Sequence, residues 1–188
     1  MDEIEKEVYN LFPKKGKYLS RDWIIPRHIL LAIDIAKDLC EKYGGDFSLC
    51  RISLLLHDTG LVYKREIKDP KGHEERSIEF ARNTLTQKGF REDFTEKVIG
   101  CIKATNPAIE PKNIDEKIVR SADSLSQFNS IHFFAKAHFY EDLDFFFRWF
   151  KKKVTKNFEK ICFEDEKKEL YPVIEHYKKI LKGYEDGK

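Results

Sequence analysis

The sequence predicts an all-α protein, a compact bundle in one domain, and three observations carry that expectation. Apolar residues recur three and four positions apart along most of the 188-residue chain, which is the spacing of one helix face. No alternation of apolar and polar residues runs long enough to make a strand. Glycine is scarce, at 9 residues, while charged residues reach 36%, a balance that suits long solvated helices. The length fits a single domain spanning residues 1–188 with a substantial core.

Each element follows from local signals. Residues 2–12 form a short amphipathic helix that stops before Pro13, which has no N–H to continue it. Asp22 is placed to cap a long helix over about 23–43, with Pro26 tolerated in its first turn and Gly44-Gly45 ending it. Leu30, Leu31, Ile33, Ile35, Ala36 and Leu39 give that helix a broad apolar face. Asp46 or Ser48 opens a more buried helix to about Asp58, and Gly60 is placed to close it as a left-handed cap. A charged loop covers 64–72. His73 then opens a helix to about 88, facing Ile78, Phe80, Ala81 and Leu85 inward. Another covers 92–105 and breaks at Asn106-Pro107; the next runs from Ile114 to Leu125, with Asp123 near its end. Residues 127–182 read as two long helices packed on the rest. Phe133, Phe134, Phe139, Phe145, Phe146, Phe147, Trp149 and Phe150 supply more apolar bulk there than one solvated helix can hide. They are expected to fill the core, or in part to bury against a second copy as a homodimer.

Composition excludes several classes. Lysine and arginine number 35 against 33 acidic residues, so no charge excess points to nucleic acid or an anionic membrane. No basic stripe is interleaved with aromatics, and no nucleic-acid partner is expected. Cys40, Cys50, Cys101 and Cys162 form no Cys-x-x-Cys pair and are expected as free thiols. The first residues lack a hydrophobic signal region, and no apolar run approaches ~18 residues. A soluble, cytoplasmic protein without membrane contact is the expectation.

The chemistry concentrates at Leu54-Leu55-Leu56-His57-Asp58-Thr59-Gly60, where three leucines run straight into two ionisable side chains. Burying such groups uncompensated costs several kcal/mol, so His57 and Asp58 call for partners or a metal. His28 lies among apolar neighbours in Ile24–Leu31, and Asp123 likewise in Ile118–Leu125. Two imidazoles and two carboxylates make a mixed nitrogen/oxygen shell suited to Mn²⁺, Fe²⁺, Co²⁺, Ni²⁺ or Zn²⁺.

His28, then His57-Asp58, then Asp123 resemble the H…HD…D signature of the HD-domain superfamily of metal-dependent phosphohydrolases. The resemblance covers about residues 23–126. It extends to the Leu54–Gly60 context, to Gly72-His73-Glu74-Glu75-Arg76-Ser77 and to Ala122-Asp123-Ser124-Leu125, in family order. It implies the HD helical bundle, with His28, His57, Asp58 and Asp123 as ligands of one divalent ion, Mn, Fe, Co, Ni, Zn or Mg. Two-metal members carry further histidines. His73 matches one, whereas Lys103 stands about where the other belongs, and an ammonium is a poor ligand. The glutamate that 5′-deoxynucleotidases place after the His-Asp pair is replaced here by Leu61-Val62-Tyr63, and the Glu-Asp pair of guanosine-tetraphosphate hydrolases is absent.

The implied activity is hydrolysis of a phosphoester or phosphoanhydride bond in a small phosphorylated molecule, with a nucleotide suggested by family analogy. Asp58 or Asp123 would orient the attacking water while ligating the ion, with His73, Glu74 or Glu75 as proton shuttle. Lys64, Arg65, Lys71 and Lys103 are the candidate phosphate clamps. His132, His138 and His176 are expected to be structural or solvated. A non-catalytic metal-binding signalling module and an HD-fold hydratase or lyase remain as alternatives.

Overall fold

Asp2 accepts a hydrogen bond from the Glu5 backbone, and the Glu5 carboxylate accepts one from the Asp2 N–H. This capping box starts α1 (Glu3–Leu11), which buries Ile4 and Val8. The computed structural model describes residues 2–14, 19–64, 72–138 and 142–187.

The helix expected over 23–43 is divided. A single α-turn, α2 (Arg21–Ile24), leads into a π-helical turn, Ile25–Ile29, and only then into α3 (Leu30–Tyr43). Ser20, not Asp22, holds the N-cap position. Pro26 has no N–H to offer the preceding turn, so the ladder widens, and the Leu30 N–H reaches back five residues to the Ile25 carbonyl. Gly44 ends α3 at φ 81°, a left-handed conformation that favours glycine.

Asp46 accepts from the Leu49 N–H at 3.1 Å and starts α4 (Phe47–Leu56). Then come α5 (His73–Gln87), α6 (Glu92–Ala104) and α7 (Ile114–Phe128), the last capped by Asn113 accepting from the Glu116 N–H. Every residue of α7 from Ile118 to Phe128 is buried, because the helix packs against α3, α4, α6 and a C-terminal helix at once. Asp123 is therefore carried into the interior by the central helix.

The two long C-terminal helices expected over 127–182 are three: α8 (His132–Ala137), α9 (Leu143–Lys160) and α10 (Glu164–Asp186). A fresh cap divides them, since Asp142 accepts from the Phe145 N–H at 3.0 Å and begins α9. Of the aromatics expected to fill core, Phe133, Phe146 and Phe150 are buried and Phe147 and Trp149 pack half-buried against them, while Phe139, counted with them from the sequence, lies outside the described residues. Phe133 is fully buried, with the Phe150, Phe128 and Tyr177 rings 5.3, 5.5 and 5.8 Å away. Ile131, Phe134, Leu143 and Phe145 remain exposed. The four cysteines are free thiols. Among the described residues no helix is long and apolar enough to cross a membrane.

Candidate metal centre

The His-Asp pair sits where α4 runs out. His57 is the last residue with helical dihedrals; Asp58, at φ −107° and ψ 5°, leaves the helix and opens a tight 3₁₀ turn, Thr59–Leu61. Gly60 is not a left-handed cap; among the described residues the positive-φ glycines are Gly44, Gly72 and Gly89. Glycine is required at 60 by close approach. A Cβ there would lie 1.9 Å from the His73 carbonyl oxygen and 2.6 Å from the Ser77 nitrogen. The Gly60 N–H donates to Ser77 Oγ at 2.8 Å, and Arg76 Nε donates to the Gly60 carbonyl at 2.9 Å. This pins the turn, and with it Asp58, against α5.

Four side chains from three segments then meet. His28 comes from the π-helical turn, His57 and Asp58 from the end of α4, and Asp123 from α7. His28 Nε2 lies 3.2 Å from Asp58 Oδ2 and 3.5 Å from Asp123 Oδ1; the corresponding distances for His57 Nε2 are 3.5 and 3.6 Å. His28, His57 and Asp58 offer ligand atoms all within 4.8 Å of one another.

The far ring nitrogens are anchored. His57 Nδ1–H donates to the Leu54 carbonyl at 2.7 Å. His28 Nδ1 faces Ser126 Oγ at 2.8 Å, and that hydroxyl spends its proton on the Asp123 carbonyl, so the ring is the donor. Both Nε2 atoms are thereby turned to the same point. His57 Nε2 is buried with no hydrogen-bond partner among the described residues. A buried lone pair of this kind, facing two carboxylates and a second imidazole, fits a divalent cation.

Without a cation the cluster balances itself. Burial works against a charged His57, but Asp58 and Asp123 outweigh it and lift the imidazole to about 9. Burial likewise opposes the Asp58 anion, yet His57 holds the carboxyl well below its ordinary range. Asp123 is also depressed against the effect of burial, chiefly by Lys160, whose Nζ lies 2.6 Å from Oδ2. Asp123 thus turns Oδ1 toward the rings and commits Oδ2 to Lys160. Gln127 Nε2 donates to Oδ1 at 3.2 Å, and Asn157 Nδ2 in turn donates to Gln127 Oε1 at 2.8 Å.

The four side chains open onto a cavity of about 390 Å³. His73 and Glu74 of α5 line it, 4.0 Å apart. Lys64 and Lys103 do not. Lys64 is exposed, pairs with Glu79 and lies over the Tyr63 ring. Lys103 points to solvent because Ile102 and Ala104 take the inward face of α6. Arg65 and Lys71 lie outside the described residues. The cavity's lysines come instead from the C-terminal helices, Lys136 on α8 and Lys153, Lys156 and Lys160 on α9, beside Trp149, while Arg76 of α5 also lines it. His132, expected to be structural or solvated, also lines the cavity, its ring 5.7 Å from that of His28; burial and then His28 hold it neutral, its pKa well below the usual imidazole value. Sequence spacing carried a signal for α9, since positions 149, 153, 156 and 160 share one helix face.

A family model described as HD domain matches residues 27–127. Ribonuclease Y of Finegoldia magna is 30% identical over 129 residues, 65% of this chain but 23% of that protein. The chain thus spans about a quarter of that relative's length. Among solved structures, the Lin1889 protein from Listeria innocua is similar with a TM-score of 0.58 over 98% of this chain and 96% of that one. At 18% identity, this likeness shows the fold.

Proposed function

The chain belongs to the HD-domain family, and from that premise we propose that it is a divalent-metal-dependent phosphohydrolase of a small phosphorylated molecule, a nucleotide by preference. One observation carries the reading. Two imidazole Nε2 atoms and two buried carboxylates converge at the floor of a cavity whose wall is set with lysines. We assign His28, His57, Asp58 and Asp123 to one ion. Such an ion supplies a positive charge that polarises a phosphoryl oxygen and acidifies a water beside it.

The protein's own groups do the rest. Asp58, the most open of the four, accepts a hydrogen bond from the attacking water and aims its oxygen at phosphorus. A bond forms from that oxygen to phosphorus as the bond to the leaving oxygen breaks. The water's proton is taken up at the carboxylate, and the leaving oxygen gains one from His73 or Glu74 across the cavity. The ammonium groups of Lys136, Lys153, Lys156 and Lys160 bind the phosphate oxygens, in place of Lys64 and Lys103.

RNA is the second reading, favoured by the 30% identity to a protein named Ribonuclease Y. One experiment tests both. The full chain, purified without chelator, is assayed on nucleoside mono-, di- and triphosphates, cyclic nucleotides and a single-stranded oligoribonucleotide, with Mn²⁺, Co²⁺, Ni²⁺ or Mg²⁺. Turnover should need metal and fall by more than about 100-fold in Asp58→Ala. Activity that survives this substitution overturns the assignment; cleavage of the oligoribonucleotide alone selects the second reading.

A further inference from the structure

The lysines of the cavity wall are arranged in a row. Lys160, Lys156 and Lys153 rise along one face of α9, and Trp149 continues the same face. At 1.5 Å per residue, Lys153 stands about 10 Å along the axis from Lys160, and Trp149 about 6 Å beyond it. Lys136, reaching in from α8, joins the far end, its ammonium 4.6 Å from the centre of the Trp149 ring. Lys160 is bound to Asp123 at the metal-ligand end. Lys153 and Lys156 have no ion-pair partner among the described residues.

Two of these ammonium groups are held against the cost of burial. Burial and then Lys153 push the Lys136 ammonium down to about 8, and burial followed by Lys160 lowers that of Lys153. A single phosphate beside the metal ligands reaches the Lys160 end and leaves Lys156 and Lys153 unmatched. An anion as long as the row matches all of it.

The geometry points to a ligand carrying two or more linked phosphates, ended by a flat group. The phosphate nearest the metal ligands meets Lys160, the following ones meet Lys156, Lys153 and Lys136, and the flat group packs at the Trp149 end of the row. The inference rests on the phosphohydrolase reading and narrows it from phosphorylated molecules at large to nucleoside di- and triphosphates.

Calorimetric titration of the full chain, metal-free, with inorganic orthophosphate, pyrophosphate and tripolyphosphate tests it without relying on turnover. Affinity should climb with each phosphate, tripolyphosphate binding at least about tenfold tighter than orthophosphate. Lys153→Gln and Lys156→Gln should each shrink that ratio, with helical circular dichroism and melting temperature showing that the variants are folded. Lys103→Gln, a solvent-facing control, should keep the ratio. Equal affinity for ortho- and tripolyphosphate overturns the inference. So does a ratio untouched by both α9 substitutions, or an oligoribonucleotide that binds more tightly than tripolyphosphate. Parallel hydrolysis assays separate the two levels: metal-dependent turnover without a polyphosphate preference defeats only this inference, whereas absence of turnover on every phosphate ester defeats the hydrolase reading.

Discussion

Lys160→Met tests whether the lysine and a metal ion serve the same carboxylate. The substitution keeps most of the side-chain bulk and deletes the cation 2.6 Å from Asp123 Oδ2. Both side chains are almost wholly buried, 8% and 7% exposed, so solvent does little to screen the loss. Removing one partner of a buried pair costs about 3–5 kcal/mol. Asp123 keeps Gln127 at 3.2 Å and His57 at 3.6 Å, which places the expected cost near the lower end, about 3 kcal/mol. For a domain of this size that corresponds to a melting temperature lower by roughly 6–12 °C. Saturating Mn²⁺ gives the stranded carboxylate a new counter-charge, so the deficit should shrink to less than half. Thermal unfolding followed by circular dichroism, in chelator and in Mn²⁺, measures both numbers. A variant that melts within about 2 °C of wild type in chelator refutes the buried-pair assignment. An equal deficit in the two conditions refutes the shared carboxylate.

Three further outcomes are expected. Gly60→Ala drives a Cβ into the His73 carbonyl and forces the turn off α5; urea unfolding should show a loss of about 3 kcal/mol, and metal titration a weakened site. Ser126→Ala removes the acceptor that orients His28, so metal affinity should fall about 10–100-fold in a competition titration. Metal-free stability should depend on pH through His57. Its folded-state pKa of about 9 lies above the ordinary 6.5, so its contribution is complete below 6.5 and is lost as pH rises through 9. Melts in chelator should therefore decline across that window. Metal displaces the proton, so the decline should vanish in Mn²⁺, with about one proton released per ion near pH 8. A flat profile in chelator contradicts the raised pKa.

Much of this molecule was legible in the sequence, and the failures have physical causes. Helices α4 to α7 announced themselves through their apolar stripes, and α4 through its Asp46 cap as well. The interruption at 25–29 did not, since a proline in a helix's first turn is ordinary and only packing decides whether the ladder widens. Gly60 was noticed for the wrong reason: a close approach by α5 is a long-range fact with no local signature. The basic groups were sought in the charged loop near the His-Asp pair, because proximity in sequence was the available guide. Lys153, Lys156 and Lys160 belong to no motif and were not singled out, although their common helix face with Trp149 was open to inspection. What could not be read was that α9 lays that face across the end of α7, bringing Lys160 to Asp123.

The stretch that matches the family model stops at residue 127, and every lysine of the cavity wall comes after it. On the proposed reading, the ion's ligands and the lysines that meet its cargo lie in different stretches of the chain, with Arg76 the basic group of the shared stretch that also lines the cavity. Exchange of the tail after α7 for that of another family member would spare the four proposed ligands while rewriting the lysine row, including the Lys160 ammonium that sits against Asp123. For this reason, kinship over the shared stretch is a poor guide to diet, and chains with the same His-Asp core should be sorted by the helices that follow.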